Sequence, residues 1–333
     1  MAEVADFPKR VVIALAHAIK HLSAFSIADA FLETKFFTKF TAKTHMLLAA
    51  NTLTNLEIYR NETDGTVTGS LLWLLDKTKT KFGARLLRNW IGRPLVDKRV
   101  LHERVEAVEE ILKSSSENLV TLRQILRRLP DLAKGLCRIQ YGQELAVLLP
   151  AFNKIAQAFD NFSSPSDVGF KSSLLNEIIF SFPKLKGPMK ELTSAIRLDQ
   201  AAEGRKDTMW ADPERYTEIS DADIAAANRA FSSFLKEIAL NYYDLLRSVI
   251  NKLATADCLL SLAFVALQEN YVRPTFTDDD TLEIIDGRHP MVEALRPDPF
   301  VPNTVVMGGG KPRSKIITGP NMGGCARFDR FSD

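Results

Sequence analysis

Gly319 and Gly324 are separated by four residues in Thr318-Gly319-Pro320-Asn321-Met322-Gly323-Gly324, directly after the β-like run Lys315-Ile316-Ile317-Thr318. That is the spacing of a phosphate-binding loop, G-x-x-x-x-G-K-[ST]. In such a loop backbone N–H groups cradle phosphate, the Lys ammonium reaches the outer phosphates and the hydroxyl ligates Mg²⁺. The two positions that follow here are Cys325 and Ala326. The cradle is written and its two reactive groups are missing. The sequence given ends at Asp333, and a crossover helix or Walker B carboxylate is not expected within it. The expectation is a loop that can touch a nucleotide but not hydrolyse it.

No other segment offers competing chemistry. His17, His21, His45, His102 and His289 form no H-E-x-x-H or other zinc spacing, and the pair His17 and His21, four apart on one helical face, is weak evidence for a metal with no carboxylate or thiolate at a ligand spacing in the sequence. No metal site is expected. There is no Gly-x-Ser-x-Gly elbow and no supported pair of catalytic carboxylates. Cys137, Cys258 and Cys325 are odd in number and far apart, so a disulfide framework is not expected; the first two are expected in helix cores.

The elements that must position this loop are mostly helical. The 333 residues are 46% hydrophobic and 25% charged, enough for about two domains with real cores. No apolar run of roughly 18 residues is read as a membrane helix, and the first residues lack the order of a signal peptide, so a cytosolic or nuclear setting is expected. Helical spacing of apolar residues predicts helices over 9–22, over 98–112 behind an Asp97 N-cap, and over 119–129 up to Pro130. Further helices are predicted over 131–140, 144–160, 172–182 and 188–202, with an aromatic-rich stretch from Phe31 to Phe40. From Ala225 to Asn270 there is neither Pro nor Gly, and an unbroken helix of that length would be roughly 65 to 70 Å long, suited to a lever. After Asn270 the short runs 271–274, 282–285, 304–307 and 315–318 read as strands opening an α/β domain, with the boundary near 270.

Charge is uneven. Between Lys77 and Gly142 fifteen Lys and Arg face seven Asp and Glu, so this block carries +8 within a chain of net +2. Lys77, Lys79, Lys81, Arg85 and Arg88 crowd one short region, and such an excess favours a DNA backbone through counterion release. A solvated helical face accounts for the same charges. Trp73 and Trp90 are expected in the core, and Asp278-Asp279-Asp280 argues against DNA contact beside the α/β segment.

An ordered series of segments resembles the MutS family of DNA mismatch-repair ATPases. It runs from Asn51-Thr52-Leu53-Thr54-Asn55-Leu56-Glu57-Ile58 through Gly69-Ser70-Leu71-Leu72-Trp73-Leu74-Leu75-Asp76-Lys77-Thr78-Lys79-Thr80-Lys81-Phe82-Gly83. It continues with Arg85-Leu86-Leu87-Arg88-Asn89-Trp90, Pro94-Leu95, Asp286-Gly287-Arg288-His289-Pro290 and the loop from Thr318 to Gly324. The wording from Leu71 to Arg88 is most similar to the third eukaryotic branch, which pairs with another family member at insertion and deletion loops.

The resemblance implies a mainly α fold: the end of a connector domain over 1–47, a helical core with lever helices over 48–269, and the start of a P-loop ATPase domain over 270–333. It implies DNA with mismatches or loops as partner, a second MutS homologue as dimer mate, a nuclear setting, and ATP with Mg²⁺ as cofactor in intact relatives, weakened or lost here. The mismatch-wedging domain has no counterpart. Tyr216 to Asp223 resembles the approach to the DNA clamp and Ala226 to Leu235 the return, with nothing between, so the clamp is expected to be missing. These gaps and the altered tail point to a truncated or mis-spliced gene model.

The family stacks adenine on an aromatic residue in a Pro-Phe-x-x-Asn context. Pro299-Phe300-Val301-Pro302-Asn303 matches it and makes Phe300 the candidate platform beside Asn303; a Phe plugging the edge of the core fits the spacing equally. Gly319, Pro320, Asn321, Met322, Gly323 and Gly324 would offer the phosphate contacts. Arg288 and His289 are read as structural. DNA-contacting residues are not assigned. The rival reading is a helical protein-interaction module that binds neither DNA nor nucleotide.

Overall fold

A computed structural model of the chain describes residues 7–23, 45–139, 142–206, 208–210, 224–269, 271–296 and 299–316. The fold is mainly α. It divides into two units, Met1–His45 and Met46–Asp333. The first holds α1 (Lys9–Ser23), whose half-covered residues Val12, Leu15 and Ile19 follow helical spacing while His17 and His21 lie exposed. The aromatic-rich stretch from Phe31 to Phe40 falls outside the described residues.

The second unit opens with short helices α2 (Ala50–Asn55) and α3 (Leu71–Leu75), then α4 (Lys81–Gly92), α5 (Lys98–Lys113), α6 (Glu117–Leu126) and α7 (Leu132–Leu136). The starts of α3, α4, α5 and α7 are chemically marked, because the first backbone N–H groups of a helix have no partner of their own and a short polar side chain supplies one. Asp97 accepts from Arg99 N at 2.9 Å and Val100 N at 3.3 Å, as expected from sequence. Ser70 caps α3 and Thr80 caps α4. Asp131 caps α7 through Lys134 N while taking both arms of Arg85 at 2.8 and 2.7 Å, and that guanidinium holds its carboxyl below the usual range.

Next come α8 (Gly142–Gln157), α9 (Ser173–Phe180), α10 (Lys186–Ala195) and α11 (Leu198–Ala202). Pro150 sits inside α8 rather than ending a helix. Its missing N–H and ring clash cost about 3 kcal/mol in an isolated helix. Here Leu148, Leu149, Phe152 and Ile155 on either side are all buried, and that packing outweighs the cost. The single helix expected over 188–202 is two, parted where Ile196 pairs with Trp210 and Arg197 N donates to Met209 O.

The long helix is present. α12 (Ile224–Glu237), a π-helical turn at Ile238–Tyr242 and α13 (Tyr243–Ala266) run in succession. The 41 residues from Ala226 to Ala266 rise about 60 Å. By length and composition this helix could cross a membrane, which corrects the expectation that no segment could. Its apolar face instead packs on α4, α5 and α9, with Val249, Leu253 and Leu259 fully buried, beside a core built around Leu126, Phe152 and Phe182. The π turn places Tyr242 so that its hydroxyl donates to Glu191 of α10 at 2.6 Å.

After α13 the chain forms β1 (Leu282–Gly287), α14 (Pro290–Leu295) and β2 (Asn303–Met307). The strands pair antiparallel, Leu282 with Met307 and Ile284 with Val305, with a bulge before Gly287 meets Asn303. Val305 is buried, whereas Ile285 is 69% exposed. The run 271–274 is not a strand, and neither are Lys315 and Ile316. Residues 317 and 318 lie outside the described set.

Candidate functional site

The segment Asp76 to Thr80 joins α3 to α4 and carries Lys77 and Lys79 at the start of the basic block. A non-helical strip between two helices must satisfy its backbone polar groups elsewhere. Asp76 accepts from both the N–H and the hydroxyl of Thr78, at 3.1 and 2.6 Å, which turns the chain. The remaining partners come from one face of α13, four residues apart. Ser261 Oγ accepts from Lys77 N and donates to Leu75 O, each at 2.7 Å. Asp257 accepts from Lys79 N at 2.9 and 3.1 Å, from Thr80 N at 2.8 Å and from the Thr80 hydroxyl at 2.7 Å.

Asp257 is 1% exposed. Loss of solvent pushes its carboxyl above the usual range, more than the donors from Lys79 and Thr80 pull it down, and the neighbouring charge of Asp76 adds to the rise. α4 approaches this carboxylate closely because residue 83 has no side chain: a Cβ on Gly83 would stand 2.3 Å from Asp257 Oδ2 and 2.8 Å from Thr80 Oγ. Cys258 follows on the same helix, buried, with its thiol donating to Gly83 O at 3.4 Å. Burial raises that thiol far above its ordinary value, so it is inert as a nucleophile. The arrangement is a sealed latch between the basic strip and the long helix. Cys137, expected in a helix core, is exposed.

Beyond the end of α13 the chain is fastened by side chains. Arg288 donates to Glu293 at 2.6 Å and to the Glu269 carbonyl at 3.2 Å. His289, 4% exposed, caps α14 with Nδ1 accepting from Val292 N. Both side chains thus help to fasten this segment. Arg273 pairs with Glu109, Lys98 with Asp278 at 2.7 Å, and Phe276 meets His102 edge-on, which ties the 271–280 segment to α5. These attachments, not strand pairing, position residues 271–274.

The basic region is partly committed to the fold. Arg85 is held by Asp131, Arg88 lies over Tyr59 with Cζ 3.9 Å from the ring centre, and Lys77 donates to Trp73 O beside that indole. Trp90 is covered by Arg104 at 3.5 Å. Trp73 and Trp90 are therefore half-buried under cations rather than core residues.

Of the sequence-predicted nucleotide residues, Phe300 is half-buried ahead of β2, and Asn303 opens β2 with its amide donating to Val301 O at 3.2 Å. Gly319, Pro320, Asn321, Met322, Gly323 and Gly324 lie outside the described residues. Among the described residues no group of three or more His, Cys, Asp or Glu could hold a metal. Sequence reasoning missed Asp257 and Ser261. Their signal was a carboxylate and a hydroxyl four apart inside a long, largely apolar helix.

Comparison with known proteins places this geometry. A family profile described as MutS domain III matches residues 51–263. The DNA mismatch repair protein MSH3 of Cryptococcus neoformans var. neoformans is 35% identical over 406 residues, covering 96% of this chain and 34% of that protein. Aspergillus fumigatus msh3 is 34% identical, covering 99% and 37%, and Coccidioides immitis MSH3 is 34% identical, covering 98% and 37%. The chain thus spans about a third of the length of these curated relatives. The 406 aligned positions exceed the 333 residues available, so the Cryptococcus protein carries more than seventy positions without counterpart here.

Proposed function

The chain belongs to the MutS family, and from that premise we propose that it is the core-and-lever section of a mismatch-repair protein of the MSH3 kind. In this reading residues 48–269 are the helical core and lever, 1–47 the end of a connector domain, and 270–333 the opening of the ATPase domain. The observation that carries the reading is the match over 51–263, which spans the long helix almost to its end and includes both sides of the latch between Asp257 and the strip at Lys79 and Thr80.

The setting proposed with it is nuclear, with a second MutS homologue as partner and looped or mismatched duplex as substrate. The same reading takes the clamp to be missing, because Tyr216 to Asp223 resembles its approach and Ala226 to Leu235 its return with nothing between them in the sequence. DNA affinity then rests on exposed cations such as Lys79, Lys81, Arg123 and Arg127.

An electrophoretic shift with a duplex carrying an extrahelical loop tests this. The expected result is a preference for the loop and an affinity that falls steeply with salt, since each phosphate neutralised releases counterions. Negligible binding, unchanged by salt, would leave the protein-interaction module as the correct reading.

The nucleotide side makes a separate prediction. With Cys325 and Ala326 in place of Lys and Ser or Thr, two charge-assisted contacts are missing, each worth roughly 1.5 to 3 kcal/mol. Purified protein should show no ATP turnover in a phosphate-release assay. Hydrolysis that Phe300→Ala abolishes would refute this and establish a working site.

A further inference from the structure

The second unit has a cleft of about 580 Å³ where the ends of α5 and α6 face the last turns of α13. Its floor is apolar, formed by Leu112, Leu260 and Ala263 among others, and four cationic side chains line it: Lys77 and Lys79 from the strip, Arg123 and Arg127 from the end of α6. Lys79, Arg123 and Arg127 are exposed and make no ion pair among the described residues. The one carboxylate in the lining, Asp257, is buried and fully engaged by Lys79 N, Thr80 N and the Thr80 hydroxyl. On the α13 side Phe264 is 57% and Leu267 68% exposed, although half of that helix's residues are buried.

Two requirements meet here. Unpaired cations around a cleft favour an anionic occupant, and large exposed apolar side chains rimmed by charge mark a surface that gains from being covered. A phosphodiester strand satisfies only the first: it needs a track of cations with successive aromatic platforms for its bases, and this cleft has one aromatic side chain and an aliphatic floor. A protein segment satisfies both, since interface centres are apolar and favour Arg over Lys for pairing with carboxylates.

We propose that this cleft is a docking site for a partner protein, through a short peptide segment whose apolar anchors are flanked by Asp or Glu. The anchors would lie against Leu260, Ala263 and Phe264, and the carboxylates would pair with Arg123, Arg127 and Lys79. This site shares Lys79, Arg123 and Arg127 with the DNA reading above, so nucleic acid and the peptide segment would compete for the same cations.

The test begins with selection from a random peptide display library on the full purified chain, followed by synthesis of the enriched peptides and fluorescence anisotropy. Enriched peptides should combine acidic with large apolar residues. Their affinity should fall at least tenfold in the Arg123→Glu/Arg127→Glu protein and in Phe264→Asp, with unchanged melting curves because all three side chains are exposed. The idea is overturned if no peptide is enriched, if the enriched peptides lack acidic residues, or if either variant binds them as wild type does. It is equally overturned if oligo(dT) binds more tightly than the peptides and displaces them, which would make the cleft a nucleic-acid site.

Discussion

Asp257→Ala should destabilise the second unit by about 3 to 5 kcal/mol, the scale expected when a buried, fully hydrogen-bonded network loses its acceptor. The substitution leaves Lys79 N, Thr80 N and the Thr80 hydroxyl facing an apolar gap. It also frees the residue that caps α4, because Thr80 receives Gly83 N while giving its own proton to Asp257. Asp257→Asn should cost about half as much. An amide oxygen at the Oδ2 position keeps the Thr80 contacts, but the amide nitrogen then faces Lys79 N, donor against donor. Urea unfolding of the three proteins is the measurement, and a loss under 1 kcal/mol in the Ala variant would show that the latch does not hold the strip.

The pH dependence carries a sign that separates this carboxylate from the exposed ones. Its folded pKa is raised above the usual 3.8, so the folded state binds the proton more tightly than the unfolded chain does. The associated stability is present in full below 3.8 and is lost as pH rises through the folded value. The advantage of wild type over Asp257→Asn should therefore be largest in acid and shrink towards neutrality. Asp131 behaves oppositely: Arg85 lowers its pKa, and its contribution appears above 3.8 and is lost as pH falls.

How much of this was legible in the sequence depends on the range of the interaction. Local signals transferred well. Asp97 beside an apolar stripe predicted a cap, and the Pro- and Gly-free run from Ala225 predicted the long helix. Signals that depend on distant partners did not transfer. Tyr271-Val272-Arg273-Pro274 has β-like composition, but Arg273 is held by Glu109, more than 160 residues earlier, and among the described residues no strand pairs with it. Trp73 and Trp90 read as core because their neighbours are apolar, whereas Lys77 and Arg104 cover them. Asp257 in isolation looks like an interruption of an apolar face. Its meaning emerges only when a strip 177 residues earlier arrives with donors lacking acceptors. The phosphate loop is the reverse case, with spacing plain in the sequence and residues outside the described structure.

Gly83→Ala should destabilise the protein by about 2 to 4 kcal/mol, against the usual direction for a helix. In a helix interior, Gly to Ala ordinarily gains up to about 1 kcal/mol through reduced backbone entropy. Here the added Cβ would enter to 2.3 Å of Asp257 Oδ2 and 2.8 Å of Thr80 Oγ, atoms held by their own hydrogen bonds and unable to withdraw without breaking them. Overpacking of this kind costs about 1 to 3 kcal/mol, to which the lost bonds add. The cause can be isolated in the Asp257→Ala background, where the obstructing oxygen is gone. Gly83→Ala should then cost less, with only the contact to Thr80 Oγ left and that hydroxyl no longer tied to Asp257, giving a coupling energy of at least about 1 kcal/mol in a double-mutant cycle. If the two losses simply add, α4 does not depend on that carboxylate for its close approach, and the helix that carries Arg85 and Arg88 is positioned by core packing alone.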